Sequence, residues 1–377
     1  MHPMRFMKSL VLLGGGHTHI EVARRFAVAP PAGAKIVLVT PEPTTIYSGM
    51  LPGLVAGHYR RAECEIELAA LCRAAQITLC HGYVSDIDPA ARTVRLADGI
   101  VLPYDLLSIN IGAASRPPID GASDEGVPVK PFERFLETWR QIQARAAGGR
   151  AMTIAVIGGG AGGVELVLAM HHRLSALHPS GASETALHLL TDAARLMSDH
   201  GPRVQRKLRR IVQERGIRLH FESRVTRLAD RILYRDGGSP LATDCVIFAT
   251  GAEGPHWLHS TGLARDLRGF VLVTRTLQSV SHPDIFAAGD IATLEGSRLP
   301  KSGVYAVREG PVLARNLRRA LAGQPLLPYT PQRQTLALIS TGNRRAVGSW
   351  RGLAFEGDWV WRWKDRIDRR FVARYRI

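Results

Sequence analysis

Short apolar runs punctuated by glycine recur along the chain, and two of them share a layout. Leu10–Leu13 runs into GGGHTH at 14–19, and Ile154–Ile157 runs into GGGAGG at 158–163, each followed by a segment that reads as a helix. A continuous apolar run closing on glycine suits a strand buried on both faces of a parallel sheet. Further strands are expected at Lys35–Val39, Tyr104–Gly112, Val246–Gly251 and Ile285–Asp290, the last three closing on a glycine turn. From Gly82 to Leu102 apolar and polar residues alternate around Asp98-Gly99, as in an antiparallel hairpin or meander. Near the C-terminus Trp359, Trp363, Ile367, Phe371 and Tyr375 recur every four residues. At about 100° per residue they drift only about 160° in all, so on a helix they form one stripe. The pattern predicts an α/β protein.

The two glycine turns carry the first candidate chemistry. Gly14 and Gly158 can take the tight bend, Gly16 and Gly160 let a pyrophosphate approach the backbone, and the helix behind offers free N–H groups and its positive dipole end. Gly163 fills the helix-packing position of the second copy, where the first has His19. A single GxGxxG is also what a flexible turn looks like, but two copies, each after a strand, point to two dinucleotide sites. The second strand of such a fold usually ends in an acid that binds the adenosine ribose. Thr40 stands there in the first unit, with Glu42 two residues on, and either can serve. In the second unit Leu187–Asp192 ends on Thr191 and Asp192; Asp192 would favour NADH, whereas Arg195 could receive the phosphate of NADPH.

Composition narrows the class. A chain of 377 residues with 45% apolar content can build two or three domains. The apolar stretch in MHPMRFMKSLVLLGGG leads straight into the first turn, so it reads as a strand and not a signal peptide. No stretch reaches the roughly 18 apolar residues that would span a bilayer. A cytoplasmic or peripheral protein is expected. Cys64, Cys72, Cys80 and Cys245 form no CxxC or CxxxxC pair, so no redox disulfide and no metal site is expected, and the thiols read as small buried hydrophobes. Net charge is +16, and between Pro311 and Ile377 fourteen Lys or Arg face four Asp or Glu. Arg362, Lys364, Arg366, Arg369, Arg370, Arg374 and Arg376 interleave the aromatic stripe. A basic helix with tryptophans fits contact with a membrane surface; docking on the protein's own core or on a homodimer partner fits the stripe equally. No recognisable nucleic-acid module accompanies the charge, so a nucleic-acid partner is not favoured.

In their order, Gly14 and Gly16, then Gly158, Gly160 and Gly163 with Glu165, then Ala249–Gly251, then Gly289-Asp290, these motifs resemble the two-dinucleotide-binding-domain flavoproteins over about residues 8–325. The resemblance implies FAD and NAD(P)H as cofactors and two Rossmann-like domains, the second inserted in the first. The FAD domain would take residues 1–125 and 255–330, the NAD(P)H domain 126–254, and a short C-terminal extension 331–377. Pro117, Pro118, Gly121 and Gly126 would form one hinge and Gly251–Pro255 the other. It implies that Asp290 binds the FAD ribityl chain, with His17, Ser48, Gly49, Met50, Val84, Asn110, Gly112, Gly289, Gly303 and Val304 also at FAD. Glu165 would lie beside the nicotinamide, with Gly251 also at NAD(P)H. Lys301 would sit near the flavin pyrimidine edge, stabilising the anionic reduced ring. Hydride transfer between stacked rings asks the protein for positioning, not for a nucleophile.

Where disulfide reductases carry CxxxxC, this chain has YSGMLPG at 47–53, and PKSGVYAVREG follows at 300–310. Both segments are similar to the oxidoreductase module fused ahead of selenide, water dikinase, and more broadly to type II NADH dehydrogenases and sulfide:quinone reductases. Without a well-placed cysteine, the dehydrogenase branch is the better match, which implies a quinone as electron acceptor. A soluble donor to a protein or to a selenium- or sulfur-linked partner, and a flavoprotein with a nucleic-acid-binding surface, are the alternatives. Truncation after about residue 355 is expected to abolish liposome binding while sparing ferricyanide reduction.

Overall fold

The computed structural model describes residues 7–114, 119–177, 185–297, 299–332 and 334–376. Its first glycine-turn strand, Lys8–Leu13, and its second, Met152–Ile157, each lie third of five in a wholly parallel sheet. The first sheet runs Ile285–Ala287, Leu106–Ile109, Lys8–Leu13, Ala34–Thr40, Thr78–His81. The second runs Gly126–Pro128, Cys245–Phe248, Met152–Ile157, Thr185–Leu190, Arg218–His220. Leu10–Leu13 and Ile154–Ile157 are buried throughout, which is why both faces of these strands are apolar. Each central strand is flanked by the strand that follows it and by one from much later in its sheet. Such a reversal of strand order opens a crevice beyond the carboxyl ends, here at Leu13 and Ile157.

Each strand leads through its turn into a helix, His17–Val28 in the first unit and Ala161–Leu177 in the second. Helix Gly303–Leu321 packs on the first of these, Gly310 lying against Glu21. The expected alternation is an antiparallel meander, Val84–Asp88, Thr93–Leu96 and Val101–Pro103, with Gly99 at φ +90° in the second turn. Of the hinge residues, Pro117 and Pro118 lie outside the described residues. Gly121 opens the short helix Ala122–Glu125 close against the Leu228 carbonyl.

The C-terminal region holds more than the expected helix. Three antiparallel strands, Ala337–Ser340, Ala346–Trp350 and Leu353–Gly357, precede helix Asp358–Arg374. The aromatic stripe divides along its length. Trp359, Trp363 and Ile367 are 40–50% exposed, whereas Phe371 and Tyr375 are 7% and 2% exposed. Phe371 stacks on Tyr47 at 4.1 Å, and the Tyr375 hydroxyl donates to Glu21 at 2.9 Å. Tyr59 donates to Asp365 at 2.7 Å, and Arg369 bonds Glu63 at 2.9 Å. The helix buries Val360, Phe371, Val372 and Tyr375 against the body, while Trp359, Trp363 and Ile367 of its stripe face solvent. No helix among the described residues is long and apolar enough to cross a membrane. All four cysteines are free thiols; burial pushes Cys64 up to about 12 and Cys72 and Cys245 to about 11, so these are inert near neutral pH.

Candidate active site

A cavity of about 1410 Å³ lies over the carboxyl ends of both sheets, and both glycine turns open on it. Gly14–His17 line it from the first unit, Gly160–Gly162 and Glu165 from the second, and Leu353, Lys364, Ile367 and Asp368 from the C-terminal region.

The first turn is fixed by side chains from a neighbouring strand. The Asn110 side-chain Oδ1 accepts the N–H groups of Thr18 and His19, both at 3.1 Å, so an asparagine far away in sequence caps the helix. The same amide donates to the Ala288 carbonyl at 2.6 Å. Burial lowers His19 to about 4, so the ring is neutral. Its Nδ1–H donates to Gly14 at 2.8 Å, leaving Nε2 to accept from the Ser108 hydroxyl at 2.8 Å. His19 thus locks the turn where the second copy has glycine. In that second copy a Cβ on Gly163 would collide with the Gly158 carbonyl, while one on Gly160 or Gly162 would meet nothing within 4 Å. The helix packs tightly behind the turn, and the turn's outer backbone faces open space. Such a cradle fits a dinucleotide pyrophosphate.

Two charged clusters flank the turns. Asp290 accepts from Lys130 at 2.8 Å; burial opposes its ionisation, but Lys130, with help from His17 and Lys301, holds the carboxyl below the usual range. Burial lowers Lys301 to about 8 against the pull of Asp266 and Asp290. Its ammonium bonds Ala292 O and Thr293 Oγ1 and lies 4.0 Å above the Phe270 ring. Glu309, buried behind Asp290, accepts the Gly289 N–H at 2.6 Å and is pushed up to about 7 by burial. On the other side burial raises Glu165 to about 7, against the opposing pull of Lys364 and of the Ser340 N–H it accepts at 2.7 Å. Lys364 bonds Asp368 and the Gly49 carbonyl, each at 2.6 Å.

Of the residues singled out in the sequence, Gly14, Gly16, His17, Thr40, Glu42, Ser48, Gly49, Val84, Asn110, Gly112, Asp290, Lys301, Gly303, Val304, Gly160 and Glu165 line the cavity. Seven stand behind its wall or away from it. Ser48–Met50 is a single helical turn that leaves Ser48 and Gly49 on the cavity and rotates Met50 into the core. Gly289 sits behind Asp290, at φ +74°. Gly158 and Gly163 are spent on packing. Thr191 is buried, accepting the Ala193 N–H at 3.2 Å, while Asp192 and Gly251 are at the surface. Lys130, Tyr47, Lys364 and Asp368 also line the cavity, and sequence reasoning gave them no role there. The one signal for the last two was their spacing, four residues apart with opposite charge on one helix.

Two parallel sheets whose glycine turns share one cavity define an oxidoreductase built on two dinucleotide sites. The chain belongs to the pyridine nucleotide-disulphide oxidoreductases, whose family pattern matches residues 8–310. It is an FAD- and NAD(P)H-dependent enzyme of that family. It is similar to the NADH dehydrogenase-like protein YutJ of Bacillus subtilis, 20% identical over 90% of this chain and 91% of that one. It is also similar to the demethylphylloquinone reductase NdbB of Synechocystis, 25% identical over 92% of this chain and 88% of that one. In fold it matches the sulfide:quinone oxidoreductase of Aquifex aeolicus with a TM-score of 0.81, at 20% identity, over 98% of this chain and 91% of that one.

Proposed function

We propose that the protein holds FAD at the first glycine turn, takes a hydride from NAD(P)H at the second, and passes two electrons to a quinone. One observation carries this reading: both turns open on one cavity, so two ring systems can stack there while each nucleotide keeps to its own sheet. Gly14, Gly16 and the helix start at His17 would hold the FAD pyrophosphate, Thr40 or Glu42 the adenosine ribose, and Asp290 the ribityl chain. Ser48, Gly49, Val84, Gly112, Gly303, Val304 and Lys301 would surround the rest. Gly160 would face the NAD(P)H pyrophosphate, Glu165 the nicotinamide, and Thr191 with Asp192 the adenosine end. Bound FAD supplies the two-electron chemistry; the protein orients both rings and excludes water.

The quinone rests on two supports beside the relatives' names. Burial pushes the Cys64, Cys72 and Cys245 thiols well above neutral pH, which disfavours a disulfide route. Trp350, Leu353, Trp359, Trp363 and Ile367 are exposed among Arg351, Arg362, Arg366 and Arg370, and Leu353 and Ile367 also line the cavity. An apolar patch ringed by arginines suits the surface of an anionic bilayer, from which a quinone could enter the cavity. On this reading the protein works peripherally, at the cytoplasmic face of a membrane. Truncation after residue 355 no longer isolates lipid binding, because that segment also supplies Lys364 and Asp368 to the cavity and Phe371 and Tyr375 to the core. Trp359→Glu with Trp363→Glu is the cleaner variant, expected to lose sedimentation with anionic liposomes while keeping ferricyanide reduction. The central test is anaerobic. NADH or NADPH should bleach the flavin and a quinone should restore its colour; restoration by a disulfide, a selenium compound or a carrier protein, but not by quinones, would overturn the reading.

A further inference from the structure

Lys130 joins the two units of the molecule at the edge of the cavity. It follows strand Gly126–Pro128 of the second sheet, whose end is tied to the neighbouring strand by the Val129 N–H donating to the Phe248 carbonyl at 3.1 Å. Its ammonium crosses to Asp290, 2.8 Å away and just past strand Ile285–Ala287 of the first sheet. Both side chains line the cavity, Lys130 38% and Asp290 17% exposed. A plain reading is that the pair fastens one unit to the other. That fastening already exists three residues on, where Arg61 of the first unit donates to both oxygens of Glu133, at 2.8 and 2.6 Å. An ammonium carries three N–H donors. Asp290 accepts one, and among the described residues no other group accepts from Lys130. Burial, and after it the charge of Lys130, lowers the His17 ring at the first turn to about 4, so the field of this ammonium reaches the turn while the ring itself is neutral. Lys301 behaves differently. Its ammonium is spent on Ala292 O, Thr293 Oγ1 and the Phe270 ring. Lys130 is the cation beside Asp290 with donors left for a ligand.

We propose that Lys130 belongs to the flavin site: oriented by Asp290, it sets a positive charge against bound FAD that favours the reduced form. The inference rests on FAD at the first turn and is independent of which acceptor is used. Hydride uptake from NAD(P)H brings two electrons and one proton, so a neutral flavin gains one negative charge as NAD(P)H becomes NAD(P)+. A fixed cation in a site shielded from water stabilises that new charge and does far less for the neutral ring. Charge placed near the ring is one of the few means a protein has of tuning such a cofactor. Because Lys130 comes from the second unit and the first turn from the other, the flavin would hold its potential only while the two units stay joined.

The test compares K130M, K130Q and K130R with the wild type. The reduction potential of the bound flavin, read by equilibration with a reference dye, should fall by at least about 30 mV in K130M, a tenfold loss of preference for the reduced form in a two-electron couple. K130Q keeps a hydrogen-bond donor for Asp290 without the charge and should fall as far; K130R keeps the charge and should stay at the wild-type potential. Should flavin be lost during purification, titrating cofactor-free protein with oxidised and with anaerobically reduced FAD gives the same quantity. The ratio of the two dissociation constants should shift tenfold or more toward the oxidised form in K130M and K130Q. A residue that only braces the fold would weaken both redox forms alike. An unchanged ratio in K130M and K130Q, or a fall in K130R as large as theirs, would overturn the proposal. Asn110→Leu tells the two possible failures apart. If that variant keeps its flavin, the placement of FAD at the first turn falls and the role of Lys130 with it; if it loses flavin while K130M keeps the wild-type ratio, only the role of Lys130 falls.

Discussion

The two glycine turns occupy the same place in their sheets and are held by different means. The first is tied by side chains: Asn110 caps its helix, His19 bridges Gly14 to Ser108, and Glu309 anchors Gly289 beside Asp290. The second is tied by backbone fit, with Gly163 on the Gly158 carbonyl and the Met197 N–H donating to Gly159 at 2.8 Å. A satisfied buried polar network is rigid and expensive to disturb. A glycine-only turn leaves its outer face open. On the proposed assignment, the contrast matches a cofactor kept for the life of the protein at the first turn and a nucleotide exchanged every cycle at the second.

The comparison breaks most visibly at Asn110. Asn110→Leu strips the acceptor from two buried N–H groups, at about 1–3 kcal/mol each, and should release FAD on gel filtration. Full flavin retention would show that the network does not hold the cofactor. Gly163→Val attacks the other turn, forcing the helix off the Gly158 carbonyl. Flavin content should stay intact while kcat/KM for NAD(P)H falls at least about tenfold, or about 1.4 kcal/mol.

Two smaller effects sharpen the picture through pH. Asp290 has a folded-state pKa below its unfolded value, so its ionisation stabilises the protein above about pH 3.9, and that contribution is lost as pH falls through the folded pKa. Lys130→Met should lower the cofactor-free stability at pH 7 by up to about 1 kcal/mol, the pair being partly exposed, with the difference closing in acid. Glu165 has the opposite sign. Its folded pKa of about 7 lies above the unfolded value of about 4.3, so the folded form binds the extra proton and stability declines as pH rises between them. Glu165→Gln should flatten that decline in melting temperature without abolishing it, because Glu309 titrates in the same direction.

Strands and turns were legible because local physics decides them. Leu10–Leu13 is apolar on both faces since both are covered, and Gly14, at φ +92°, stands where a side chain would strike the Asn110 carbonyl. What joins distant segments was not legible. Nothing in VPVK marks Lys130 as the partner of Asp290, 160 residues away. Lys364 reads as one more basic residue interleaving the aromatic stripe, because which side of that helix faces inward depends on where Phe371 and Tyr375 dock. The three C-terminal strands are short, and a segment such as AVGSW has too little alternation to announce itself.

Tyr375 reaches back to Glu21 across 354 residues, and the cavity wall runs from Gly14 to Asp368. At ribosomal speeds of about 5–20 residues per second, roughly 20–70 s separate the making of the two contacting ends. Throughout that interval the first turn is synthesised but its cavity lacks a wall. If FAD sits at the first turn as proposed, stable loading of flavin is an event of the finished chain, and a nascent fragment ending short of residue 368 is expected to emerge from a stalled ribosome colourless.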